Sequence, residues 1–137
     1  MSIEAYSLAA DGENNLTANF KVKEFACKDG SNVIFLDDRL PALLQKIRDR
    51  FGRKVTITSG YRTVYWNKVQ KGSANSQHLY GMAADIQVDG VEPAIVAAYA
   101  ETLLPGTGGI GTYPKKAGRA KGWVHVDVRK VKARWVL

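Results

Sequence analysis

Residues 123–129 (WVHVDVR) constrain the fold more than any other stretch. Side chains of a strand point alternately to its two faces, so Val124, Val126 and Val128 share one side, and Trp123, His125, Asp127 and Arg129 share the other. The valine side is pure core. The other side is an aromatic ring, an imidazole, a carboxylate and a guanidinium in a row. Such a strand belongs in a sheet that is packed on one face and carries polar groups on the other. Residues 83–88 (AADIQV) repeat the arrangement, with Ala84, Ile86 and Val88 on the core side and Ala83, Asp85 and Gln87 opposite. If these two strands pair, Asp85 and His125 converge, and His78 approaches from the loop that leads into the first.

The remaining chain supplies partners for that sheet. Leu40, Leu43, Leu44, Ile47 and Phe51 form an apolar helical stripe, with Asp37-Asp38 offering an N-cap, Pro41 in the first turn and Gly52 as the stop. Residues 54–59 (KVTITS) read as a β-branched strand, and 61–70 as a short helix or turn before a loop at 71–77. Pro93 opens a helix through about Leu104, which Pro105-Gly106 ends. Residues 108–113 (GGIGTY) read as a strand with tight backbone neighbours, and 115–122 as a flexible basic loop. Residues 20–25 alternate as a short strand or extended arm. Helices mixed with strands, without regular βαβ alternation, predict an α+β fold with a mostly antiparallel central sheet and flanking helices. The 137 residues suit one domain, 1–137, in which 1–19 form a loosely packed N-terminal arm.

Several classes are excluded. Cys27 is the only cysteine, which rules out a disulfide framework and a cysteine-based zinc site. It is expected to be a small buried hydrophobe, with a Cys–His nucleophile as the enzymatic alternative. No apolar run approaches ~18 residues, so no membrane span is expected. The first 19 residues have neither a basic start nor a long apolar core and do not read as a signal peptide. A cytoplasmic location and a monomer are expected. The charge is concentrated. Residues 114–137 hold eight Lys or Arg and one acid, Asp127, and carry the whole net charge of +7. A basic end suits a polyanionic partner or simply a solvated loop. Nucleic acid is the weaker candidate partner, because no recognition motif accompanies the charge.

His78 and His125 are the only histidines, and each lies near an aspartate in sequence. Two His and one Asp make a sound zinc set, since imidazole nitrogen and carboxylate oxygen both suit the ion and a fourth position stays open. Two unrelated histidines, one in the core and one on the surface, would fit the same spacing. The pattern Ser76-x-His78-x-x-Gly81-x-Ala83-x-Asp85, followed by His125, resembles the zinc D-Ala-D-Ala carboxypeptidase and endopeptidase family, the M15 peptidases, and in particular their type-3 subgroup. The likeness runs from residues 20–30 through Ser59-Gly-Tyr-Arg62 and 108–113 to 125–129 and Arg134-Trp135. It implies an antiparallel sheet with flanking helices, as in the zinc domain of hedgehog proteins. It also implies one Zn2+ per chain on His78, Asp85 and His125, hydrolysis of a peptide bond in peptidoglycan, and a protein that is cytoplasmic until release or associated with a phage or prophage; the basic end would then attract an anionic wall polymer.

By the same resemblance Arg62 contacts substrate and stabilises a developing oxyanion. Relatives carry an acid shortly before the second histidine, but positions 115–124 hold none. Asp127 is the best local substitute as general base, or else it supports an imidazole or pairs with Arg129. Glu24 is the first distant acid to consider. Ser76 caps its loop or binds the substrate peptide, Tyr113 and Trp123 line the cleft or serve packing, and Gly81 allows close backbone approach beside the metal.

Overall fold

In the computed structural model, which describes residues 2–137, the alternating segment is the middle strand of a five-stranded sheet. The chain opens with β1 (Ile3–Ser7), a single helical turn α1 (Leu8–Asp11), β2 (Asn15–Thr17) and β3 (Phe20–Lys21). A 3-10 turn (Val22–Phe25), β4 (Val33–Asp37), α2 (Arg39–Phe51) and β5 (Val55–Ser59) follow. Next come α3 (Val64–Val69), a second 3-10 turn (Gln77–Tyr80), β6 (Ala83–Val88) and α4 (Pro93–Leu103). The chain closes with β7 (Gly109–Tyr113), β8 (Trp123–Asp127) and β9 (Ala133–Val136).

The large sheet has the order β5-β6-β8-β7-β9. Its pairs are antiparallel except β7 with β9, which run parallel, so the sheet is mixed. After β8 the chain passes across the end of β7 and adds β9 on the far side. Two small antiparallel ribbons, β1-β4 and β2-β3, complete the fold. The 20–25 segment therefore pairs only through Phe20 and Lys21 before curling into its 3-10 turn. The N-terminal residues 3–7 are held against β4 along their whole length.

Burial follows the alternation. Val124, Val126, Ile86 and Val88 join Leu40, Leu44 and Ile47 of α2 and Val96 and Ala100 of α4 in one hydrophobic cluster. Each fully buried Val, Leu or Ile contributes about 1.5–3 kcal/mol, so this shared face drives both helices onto the sheet. Gly52 ends α2 in the left-handed region, with φ 60°. The N-cap differs from expectation: Asp38 makes no capping bond, and the buried Asp37 accepts the Arg39 N–H at 2.9 Å and holds its guanidinium. The opposite face of the sheet is free of both long helices and carries the polar row.

Candidate metal centre

Register makes the first pair of the site. Asp85 of β6 lies directly opposite His125 of β8, and His125 Nδ1 is 3.0 Å from Asp85 Oδ1. His78 comes from the 3-10 turn before β6. Ser76 caps that turn by accepting the His78 N–H at 3.3 Å, and Gly81 closes it with φ 68°. His78 Nε2 then stands 3.3 Å from the same Asp85 oxygen. The ligand atoms of the three residues lie within 4.8 Å of one another, and all three side chains are nearly buried.

Both imidazoles are oriented from behind. His78 Nδ1 is 2.7 Å from the Gly60 carbonyl, which can only accept, so this nitrogen carries the proton and Nε2 offers its lone pair. His125 Nε2 donates to Asp127 Oδ2 at 2.7 Å, which turns the Nδ1 lone pair toward Asp85. Two nitrogen lone pairs and a carboxylate oxygen thus converge with no donor among them. That donor set suits a cation. Two ligands about 2.1 Å from one tetrahedral ion lie about 3.4 Å apart, and the observed 3.0 and 3.3 Å are close to this spacing. Without an ion, a proton shared at His125 relieves the same conflict. Burial opposes charge on that ring, but its bonds to Asp127 and Asp85 prevail and raise its pKa. Burial likewise opposes ionisation of Asp85, yet His125 and His78 hold its carboxyl well below the usual range.

Asp127 is completely buried and its carboxylate is fully engaged. Besides His125 it accepts from the Gly109 N–H at 2.8 Å, the Arg129 N–H at 3.1 Å and the Arg129 guanidinium at 2.7 Å. Desolvation raises its pKa, but the bonds from His125 and Arg129 outweigh this and hold it far below the ordinary value. Arg62 places Nη2 3.5 Å from Asp85 Oδ2, while Ser59 and Asn67 fix the rest of its guanidinium. Glu24 lies outside the cluster, with its carboxylate capping its own turn at the Lys21 N–H.

Tyr113 and Trp123 face each other across β7 and β8 and stack at 4.7 Å. The Arg119 guanidinium lies over both rings and bonds to the Pro114 and Leu137 carbonyls, so one cation of the basic loop is built into the fold. That loop is itself turned back by a Lys116–Arg119 bridge. Trp135 had no assigned role in the sequence. It packs 5.0 Å from the His125 ring, and its indole N–H donates to the Tyr113 hydroxyl at 2.9 Å. The signal for it was the glycine spacing in 108–113. A Cβ on Gly111 would overlap the Trp135 indole, and one on Gly109 would overlap the Asp127 carboxylate. Gly81 differs from expectation, because its close neighbour is the β4 backbone at Phe35 and Leu36. Cys27 is buried with Thr63 as its polar neighbour at 4.0 Å and bonds to no histidine.

No helix among the described residues is long and apolar enough to cross a membrane. No curated protein matches the chain. A family model described as Peptidase M15, of the type-3 subgroup, matches residues 18–127, a span that contains all three converging ligands. With most of its length covered by that model and an acceptor cluster suited to a metal at its centre, the chain belongs to the M15 peptidase family.

Proposed function

We propose that the chain is a zinc-dependent peptidase that hydrolyses a peptide bond in peptidoglycan stem peptides or cross-links. The bond involves a D-amino acid, and the activity is that of a D-Ala-D-Ala carboxypeptidase or an endolysin-type endopeptidase. The supporting observation is the convergence of His78 Nε2, His125 Nδ1 and Asp85 Oδ1, with both ring tautomers fixed by acceptors behind them. These residues would hold one Zn2+, which when bound supplies Lewis-acid polarisation of the scissile carbonyl and a nucleophile at neutral pH.

The surrounding residues have separate tasks in this reading. Arg62 steadies Asp85 and sets a fixed positive charge beside the cluster, complementary to an oxyanion. Asp127 orients His125, since its lone pairs are occupied and it is closed to solvent. Ser76 positions His78 by capping its turn. Tyr113 and Trp123 form one wall of the substrate cleft, and the basic segment draws the protein to an anionic wall polymer after release. Defined muropeptides incubated with and without a chelator, with the products weighed, test this proposal. A product that the chelator abolishes is expected; intact substrate with fully zinc-loaded protein would overturn it.

One observation favours a second reading, a non-catalytic zinc domain of the same fold that binds wall or a protein partner. Among the described residues no further His, Cys, Asp or Glu joins the three-residue group. Sedimentation with purified wall, without cleavage by zinc-loaded protein, would select this reading.

A further inference from the structure

A second cleft lies away from the metal cluster, at the end of the sheet where the chain leaves β8. It is an open groove of about 780 Å³ between the N-terminal half of α2 and the end of α4 with the residues that follow it. Its apolar lining includes Leu43, Met82, Leu104 and Val128. Its charged lining is of one sign: Arg39, Lys46, Arg129 and Lys130, with no acid. Two of these cations are committed elsewhere, Arg39 to Asp37 and Arg129 to Asp127. Lys46 and Lys130 are exposed and form no salt bridge among the described residues. An apolar hollow with two unpaired ammonium groups on its rim is complementary to a hydrocarbon body ending in an anion.

We propose that this cleft binds a small anionic amphiphile, an alkyl chain with a carboxylate head, with the chain against Leu43, Leu104 and Val128 and the head between Lys46 and Lys130. The volume falls within the roughly 300–1,000 Å³ usual for small-molecule sites. Apolar area drives binding, while the charged rim selects the head group and orients it. The proposal does not rest on the peptidase reading: neither lysine is bonded to His78, Asp85, His125 or Asp127, and the lining residue that does hold Asp127, Arg129, is left unaltered in the test.

Calorimetric titration with dodecanoate, below its micelle concentration and at low salt, tests the site. Dodecyl maltoside serves as the uncharged probe of equal chain length, and acetate as the head alone. One dodecanoate per chain is expected, with the maltoside at least about tenfold weaker and acetate silent. The Lys46→Glu/Lys130→Glu variant, altered only at exposed positions, should weaken dodecanoate about tenfold. Ala42→Phe, at an exposed position of α2 that lines the cleft, should block it. Circular dichroism establishes that both variants are folded, and the comparison among ligands on the unaltered chain needs no variant. Equal affinity for dodecanoate and the maltoside, binding unchanged in both folded variants, or no binding of dodecanoate would each overturn the proposal.

Discussion

Asp127→Asn separates the two tasks open to this carboxylate. The substitution keeps the side chain's volume but replaces one oxygen with an amide nitrogen. Oδ1 accepts from the N–H groups of Gly109 and Arg129 and from Arg129 Nε at 2.9 Å, whereas Oδ2 accepts from His125 Nε2 and Arg129 Nη2, both at 2.7 Å. With its nitrogen in the Oδ1 place the amide points its N–H groups at three obligate donors; in the Oδ2 place it faces Arg129 Nη2, and His125 keeps a bond only by moving its proton to Nδ1, so either way the ion pair with Arg129 is broken. A hydrogen bond to a charged group contributes about 1.5–3 kcal/mol. The Arg129 side chain is 28% exposed, so water recovers part of its share. The net loss of stability is expected to be about 3–4 kcal/mol. His125 also loses its orienting acceptor, and zinc affinity should fall roughly 10–100-fold. Thermal unfolding of the metal-free chain and competition against a chromophoric chelator measure the two effects, and excess zinc should restore much of the hydrolytic rate. A general base would behave otherwise: kcat would drop about 10²–10⁴-fold while zinc affinity and stability stayed intact. That outcome would refute the orienting role.

Three further outcomes follow from neighbouring geometry. Gly109→Ala should reproduce much of the Asp127→Asn phenotype, because the new methyl group must displace the carboxylate; wild-type zinc affinity in that variant would count against it. Burial opposes ionisation of Asp37, but the bonds from the Arg39 side chain and N–H together outweigh it and hold the carboxyl below its ordinary pKa. The stability it contributes is therefore complete above its unfolded value near 3.9 and lost as pH falls through the lower folded value, a sign set by the depressed pKa. Asp37→Ala should cost about 0.5–2 kcal/mol at neutral pH, as for other lost helix caps, and should flatten that acid limb of a chemical denaturation series. Neutralising Lys115, Lys116 and Lys121 while keeping Arg119, whose guanidinium supports Tyr113 and Trp123, should weaken wall sedimentation in a salt-dependent way and spare hydrolysis of a small muropeptide. Parallel loss of both activities would show that the loop shapes the cleft.

Much of the fold was legible because periodicity is a local property. Period-two alternation marked β6 and β8 and their polar faces, and the 3.6-residue stripe marked α2. From alternation alone the convergence of Asp85 with His125 was conditional on pairing, and the register then met that condition. The continuous apolar run of β4 has no such period, and β9 is short and lies at an edge, so neither stood out. What pattern could not supply is which atoms meet across long separations. The Gly60 carbonyl fixes the His78 tautomer from 18 residues away. Trp135 reaches His125 only because β9 crosses to the far side of β7, and Gly81 is required by a β4 backbone more than forty residues earlier. The role of Asp127 is of the same kind. Its residue type and strand face were plain in the sequence, but the saturation of its lone pairs arises from the Gly109 N–H on the neighbouring strand and the folding back of Arg129. A strand's own residues set where its side chains point; the groups that meet them are brought by other segments, at a register that only the packed sheet fixes.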